Sequence, residues 1–204
     1  MNTLARDKSY KAHRIALFAA VLLVSMLAVS CAGSLFKVKP IVELPPLPAE
    51  SKSASGGGIV VRVAPLLSDE ESQDLFEANL PLSGVLPIRL ELVYEDGVPV
   101  ELKRARFRLR DGEGKEWKLL APKQAISRIL KANGVYAYNP NSRKQFESEF
   151  AAYALDLKNP LSPSERRRQG FLFFQTPNKN PVASPRGLTL LAERLPQPIE
   201  LILN

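Results

Sequence analysis

The chain has 204 residues, of which 45% are hydrophobic, 24% are charged and 7% are aromatic, and its formal net charge is +7. This balance excludes a disordered chain and a membrane protein with several spans. The length leaves room for one substantial domain with additional segments. The single histidine, His13, and the single cysteine, Cys31, both lie near the N-terminus.

The N-terminus has the pattern of a secretory signal. Four basic residues precede an uncharged run from Ile15 to Phe36, whose core is almost wholly apolar. A basic start, a short apolar stretch and small residues at its end are the marks of a signal peptide. The apolar core ends in Leu27-Ala28-Val29-Ser30-Cys31. This segment resembles the lipobox of bacterial lipoproteins.

The resemblance implies that residues 1–30 are a signal peptide and that Cys31 becomes the lipidated N-terminus. A lone cysteine has no disulfide partner, which favours this interpretation in an exported protein. Two or more acyl chains on Cys31 would hold the protein firmly on a bilayer. The alternative is an uncleaved membrane anchor, because the uncharged run is long enough to span. By analogy with the family, Ala32 favours the outer membrane, facing the periplasm, over retention at the inner membrane.

Removal of residues 1–30 takes away four basic residues and one acidic residue, which leaves a net charge of +4. That charge is too small to indicate nucleic-acid binding. The mature chain would also lack histidine and a free thiol, so Ser-His-Asp and Cys-His catalysis and Cys/His zinc sites are excluded. We expect no enzyme activity, no metal and no cofactor. A hydrolase that uses paired carboxylates is a less favoured alternative, for which Asp156 and Glu193 are the nearest candidates.

Residues 31–58 are predicted to form a tether between the lipid and the folded domain. Proline-rich segments are extended and semi-rigid, and segments rich in serine and glycine are flexible. The first part of the tether is proline-rich, with Pro40, Pro45, Pro46 and Pro48. The second part is rich in serine and glycine, with Ser51, Ser53, Ser55 and Gly56-Gly57-Gly58. The domain is therefore expected to begin at Ile59 and to occupy residues 59–204.

From Ile59 onward the pattern predicts about seven short strands, at residues 59–63, 88–94, 103–110, 117–120, 170–175, 187–191 and 198–203. Polar and apolar residues alternate in the second and third of these, as is typical of half-buried strands. Asp111-Gly112-Glu113-Gly114 predicts a hairpin turn between the third and the fourth. Seven short strands with frequent turn signals favour an antiparallel, immunoglobulin-like β-sandwich.

Three helical segments are also predicted. Ser68-Asp69-Glu70-Glu71 has the spacing of a capping box and predicts a short helix. A helical insertion follows over residues 122–157, in which Asn133-Gly134 ends the first helix and Asn141 or Ser142 caps the second. The second helix carries an apolar stripe that is expected to pack in the core: Phe146, Phe150, Tyr153 and Leu157.

One stretch carries a second resemblance. Leu161-Ser162-Pro163, followed by Gly170-Phe171-Leu172-Phe173-Phe174-Gln175-Thr176-Pro177, is similar to a segment of immunoglobulin-like domains in exported bacterial lipoproteins. In that family the segment forms an edge of the sandwich, and the domains are largely binding or structural modules. The resemblance implies the fold class and implies no activity.

Arginine is the candidate for ligand binding. In a strand over residues 103–110, alternate side chains project from one face. That face would carry Arg104, Arg106, Arg108 and Arg110, and a second cluster, Arg166-Arg167-Arg168, is predicted in a loop. Arginine binds phosphate bidentately, so the row could bind lipid headgroups, lipopolysaccharide or an acidic protein. The favoured alternative is a solvated face neutralised by acids, with Glu95 opposite Arg104 and Glu91 opposite Arg108.

The sequence therefore predicts a lipoprotein of the bacterial cell envelope, anchored in the membrane by Cys31. Its domain is expected to be a non-catalytic interaction or structural module with an envelope protein as partner. The alternative is a module that binds anionic envelope components through the arginine-rich strand face.

Overall fold

The computed structural model describes residues 35–204, which are built mainly from β-strands. The eight strands are β1 (Lys52–Gly56), β2 (Ile59–Pro65), β3 (Val85–Tyr94), β4 (Arg106–Arg110), β5 (Glu116–Leu120), β6 (Arg167–Gln175), β7 (Thr189–Glu193) and β8 (Ile199–Ile202). The three helices are α1 (Asp69–Phe76), α2 (Pro122–Ala132) and α3 (Pro140–Ala152). None of the helices in this part of the chain has the length and apolar character needed to cross a membrane.

The predicted signal peptide, the lipobox residues Leu27, Ala28, Val29 and Ser30, and the predicted lipidation site Cys31 lie outside the described residues. They stay predictions from the sequence.

All eight strands belong to one antiparallel sheet in the order β1-β2-β3-β6-β5-β4-β7-β8. β5 joins the two halves of this sheet. Its first residues, Glu116 and Trp117, pair with β4, and Lys118–Leu120 pair with β6. The sheet curls until its edge strands β1 and β8 contact each other. The result is a nearly closed sheet around an apolar interior.

The prediction of a mainly antiparallel β domain is confirmed. The strands form one curled sheet, and not the two separate sheets of a sandwich. Each of the seven predicted strands is present, and β1 is an eighth. β6, which the family resemblance placed at an edge, lies between β3 and β5. The decisive pairings, β3 with β6 and β4 with β7, join strands that are distant in the sequence, so local patterns do not define them.

The interior core lies inside the curled sheet. β3 sends Leu86, Ile88 and Leu90 into it, and the opposite half of the sheet contributes Phe107 from β4 and Leu190 from β7. These side chains alternate with residues of the outer face, as the pleat of a strand requires. Burial of this apolar surface is the main force that stabilises the sheet.

The three helices form a second core with the outer face of β3, β5 and β6. Phe146, Phe150 and Tyr153 of the predicted stripe are buried there, which confirms their packing role. Phe150 stacks on Phe173 of β6 with 4.5 Å between the ring centroids. Leu157 lies beyond the helix and packs against the interior core instead.

The caps of the helices confirm one prediction and correct another. α1 has the predicted capping box, in which Ser68 and Glu71 exchange side-chain and backbone hydrogen bonds. α2 ends at the predicted stop, with Asn133 as its C-terminal cap. α3 is capped by Asn139, whose side chain accepts from the backbone N–H of Asn141, so the predicted cap at Asn141 or Ser142 is wrong.

Residues 35–58 pack on the domain, so the prediction of a free tether ending at Gly58 is wrong for this range. Lys52–Gly56 form β1, which pairs along β2. Residues 35–48, which we call the strap, lie against the helical core through Leu35, Phe36, Val38, Ile41 and Leu44. Leu35, Phe36 and Val38 precede the first proline of the strap, Ile41 and Leu44 follow it, and all five supply buried apolar surface. The folded unit therefore begins at Leu35 and not at Ile59.

Candidate functional site

The predicted row of arginines lies on the outer face of β4. Phe107 and Leu109 are buried in the interior core, so Arg106, Arg108 and Arg110 point the opposite way. Arg104 does not belong to the row. It lies in a turn before β4 that is closed by a 2.9 Å hydrogen bond from the N–H of Ala105 to the carbonyl of Leu102.

Arg108, at the centre of the row, is neutralised by acids from both neighbouring strands. Its guanidinium contacts Glu116 of β5 at 2.5 Å and Glu193 of β7 at 3.3 Å. The hydrogen bond to Glu116 raises the pKa of Arg108 and lowers the pKa of Glu116 below its usual value. The two glutamates hold Arg108 in place and neutralise its charge, so Arg108 is less suited than its neighbours to bind an anionic ligand.

The predicted pairing of acids and arginines is wrong in its partners. β4 pairs with β5 and β7 and does not pair with β3, so Glu91 and Glu95 are not opposite the row. Glu91 instead forms ion pairs with Arg62 and Arg167 on another part of the sheet. The expectation that acids neutralise part of the row is confirmed at Arg108.

Arg106 and Arg110 are exposed, and they form no ion pair with any residue between 35 and 204. They are four positions apart along the strand, which corresponds to about 13 Å. A surface groove of about 380 Å³ runs beside Arg106 and Arg108 and includes Lys118 and Glu116. The face therefore offers positive charge on either side of the neutralised Arg108.

The second predicted cluster does not form one site. β6 begins at Arg167, so Arg167 and Arg168 are strand residues whose side chains leave on opposite faces. Arg168 is buried and donates to the carbonyls of Asp156, Asn159 and Pro160, which holds the loop before β6. Arg167 pairs with Glu91, and Arg166 is exposed.

Two charged residues of β3 are buried, although the sequence pattern does not indicate it. Arg89 and Glu91 lie on the outer face of β3, and only 5% and 1% of their surfaces are exposed. Alternation along the strand indicates a solvated face at these positions. The apolar residues of the strap were the available signal that this face is covered.

The acidic candidates for a hydrolase are used in structural contacts. Asp156 accepts from the backbone N–H of Lys158 at 2.9 Å, and Glu193 contacts Arg108. Among residues 35–204, no three His, Cys, Asp or Glu side chains are grouped as metal ligands would be.

In comparisons with protein-family models, with characterised proteins and with solved structures, no match to this chain is found.

Proposed function

We propose that this protein is a bacterial envelope lipoprotein, anchored by lipid on Cys31, whose domain is a non-catalytic interaction module that works at the membrane surface. The lipobox-like segment supports the anchor. The position at which the folded unit begins supports the location of the domain.

Only three residues stand between Cys31 and Leu35, the first residue of the strap. An extended chain spans at most about 3.6 Å per residue, so the lipidated residue and Leu35 are no more than about 14 Å apart. A domain anchored in this way works next to the bilayer and not at the end of a long spacer. The partner we infer is therefore an envelope protein with a domain at the same membrane surface, in the periplasm on the favoured outer-membrane address.

Two measurements test this proposal. Metabolic labelling with a fatty acid should label the wild-type chain and leave Cys31→Ser unlabelled, and the mature N-terminus should be Cys31. Chemical cross-linking in intact cells, followed by mass spectrometry, should capture one partner protein with the wild type and lose it with Cys31→Ser. An unlabelled wild-type chain that retains residues 1–30 would overturn the anchor, and a labelled chain with no captured protein would overturn the interaction module.

A second function is favoured by the two exposed arginines of β4. Arg106 lines the groove and Arg110 lies at the C-terminal end of β4. Phosphate groups of lipids or lipopolysaccharide match their positive charge. On this alternative, the β4 face binds anionic headgroups of the membrane to which the protein is anchored.

Vesicle binding distinguishes the second function from the first. The Cys31→Ser chain removes the lipid contribution, and vesicles of phosphatidylglycerol are compared with vesicles of phosphatidylcholine. Binding that requires the anionic lipid and weakens with salt should be lost in Arg106→Glu/Arg110→Glu. The control Lys123→Glu/Lys144→Glu makes the same charge change at exposed helical positions and should retain most of the binding. Equal loss of binding in both variants would show that binding depends on the net charge of the domain and not on the β4 face.

A further inference from the structure

Arg89 is a buried cation without an acidic partner. Its neighbours in β3, Ile88 and Leu90, point into the interior core, and Arg89 lies on the opposite face under the strap. Its Nη2 donates to the carbonyl of Pro45 at 2.6 Å and to Oε1 of Gln169 at 3.1 Å, both of which are neutral oxygens. Arginine carries its charge at all physiological pH values, so this charge is not removed by titration.

The hydrogen-bonding capacity of Arg89 is only partly used. Its Nε is the single buried side-chain nitrogen or oxygen within residues 35–204 that has no hydrogen-bond partner. Glu91, the nearest acid on the same strand face, is held by Arg62 and Arg167. A buried polar group without a partner destabilises the folded protein, and more so when the group is charged. The protein therefore keeps a costly group at this position.

A cavity of about 170 Å³ adjoins Arg89. Its walls are mainly apolar and come from the strap, from the chain at the end of β2 and from α1, and they include Leu44, Pro45, Leu66 and Leu75. A cavity of about 150 Å³ is large enough to hold benzene. The space therefore fits a small organic molecule.

Two acids also line the cavity, and each already has a partner. Glu71 accepts from the backbone N–H groups of Leu67 and Ser68, both at 3.1 Å, as part of the cap of α1. Asp74 contacts the Nζ of Lys39 at 2.6 Å. Arg89 is thus the cation of the cavity, and neither acid forms an ion pair with it.

We propose that this cavity binds a small aliphatic monocarboxylate. The carboxylate supplies the counterion that Arg89 lacks, and the hydrocarbon part fills the proline- and leucine-lined wall. This site is separate from the arginines of β4, and the inference does not depend on lipidation of Cys31.

The probe for this proposal is isovalerate, and isovaleramide is its neutral counterpart of almost equal size. The protein is the Cys31→Ser chain without residues 1–30, and binding is followed by NMR shifts of the leucine methyl groups. We expect isovalerate to shift the methyl resonances of Leu44, Leu66 and Leu75 in a saturable way. Isovaleramide should bind about tenfold more weakly, because it cannot pair with the guanidinium.

Two variants identify the group that recognises the carboxylate. Arg89→Met keeps the length of the side chain and removes its charge, so it should bind the acid no better than the amide. Arg89→Lys keeps the charge and should retain part of the preference. The fold of each variant is checked by the dispersion of its methyl spectrum.

The proposal is overturned if wild-type protein binds isovalerate and isovaleramide equally, or if isovalerate causes no saturable shift up to about 20 mM. An unchanged preference for the acid in Arg89→Met would place the anion elsewhere and would also overturn it.

Discussion

Gly170 shows how a single residue allows two parts of the backbone to meet. It lies within β6, where residues 153–155 approach the strand. The N–H of Phe171 donates to the carbonyl of Tyr153 at 2.6 Å, and the N–H of Leu155 donates to the carbonyl of Phe171 at 3.1 Å. A Cβ atom on Gly170 would lie 2.5 Å from the Cα of Leu155. Glycine in a strand often marks such a close approach.

We expect Gly170→Ala to lower the free energy of unfolding by about 2 kcal/mol or more, because the backbone atoms that it meets have to move. Gly56→Ala is the matched control, since Gly56 is also a strand residue but its added Cβ meets only the flexible side chain of Gln197. Its effect should stay within about 1 kcal/mol. Urea denaturation measures both, and equal stabilities would show that the approach of Leu155 is not required.

The ion pair between Arg108 and Glu116 can be tested by titrating the carboxyl group of Glu116. The side-chain hydrogen bond from Arg108 lowers the pKa of Glu116 from its usual 4.5. A carboxyl whose pKa is lowered by folding contributes stability above its unfolded pKa, and this contribution is lost as the pH falls through the folded pKa. NMR titration should therefore give Glu116 a midpoint below 4.5. Arg108→Met should raise that midpoint, and a midpoint unaffected by this variant would contradict the pairing.

At the scale of secondary structure elements, α1 depends strongly on its N-terminal cap. It has eight residues, and helices shorter than about 12 residues are marginal by themselves. The hydroxyl of Ser68 accepts from the N–H of Glu71, and the carboxylate of Glu71 accepts from the N–H of Ser68, both at 3.1 Å. The buried Phe76 then fixes the other end of the helix in the second core.

We expect Ser68→Ala to lower the free energy of unfolding by about 1 kcal/mol, because the N–H of Glu71 loses its acceptor. Ser68→Thr keeps a hydroxyl and should lose only a fraction of that amount. Chemical denaturation of the two variants gives the comparison, and an alanine variant as stable as the threonine variant would argue against the cap.

The elements differ in how well the sequence predicts them, and the caps show why. The capping box at Ser68 is local, since all of its groups lie within four residues, and the prediction is confirmed. The cap of α3 is also local, but Pro140 at the first helical position was the signal that points to Asn139. The position of Pro140 therefore locates this cap from the sequence alone.

The burial of Arg89 and Glu91 could not be predicted in the same way. Alternation correctly assigns Ile88 and Leu90 to the interior. Whether the other face of β3 is wet depends on the strap and on the pairing of β3 with β6, which join residues 44 and 80 positions apart, as the contacts of Arg89 with Pro45 and Gln169 show. The same holds for the row of arginines on β4. Alternation predicts that their side chains share one face, but it does not predict that the acids beside them come from β5 and β7.

At the scale of the whole molecule, the strap belongs to the folded unit. Phe36 lies edge-on to Phe146 of α3 with 5.2 Å between the ring centroids. The hydroxyl of Tyr153 donates to the carbonyl of Lys39, and the N–H of Lys39 donates to the carbonyl of Leu75. These contacts cover apolar surface of the helical core that a free tether would leave exposed.

A chain that begins at residue 49 should therefore be less stable than one that begins at residue 32. Loss of Phe36, Val38 and Leu47 removes apolar contacts worth about 3 kcal/mol or more in total. Thermal and urea denaturation of the two chains measure the difference. Equal stabilities would mean that residues 35–48 contribute nothing to the fold.

The strap also decides how an anchored domain responds to force. A pull on a chain held at Cys31 enters at Leu35 and reaches the strap before it reaches the sheet. The hydrogen bonds of the strap to Leu75 and Tyr153 are both made by Lys39, and the bond to Arg89 is made by Pro45. A pull from the N-terminal side would therefore load the bonds of Lys39 before the bond of Pro45. The 14 residues released would add about 50 Å of length. If Cys31 carries the proposed anchor, the strap would hold the domain close to the membrane when no force acts and would lengthen the connection when it is pulled away from the helical core.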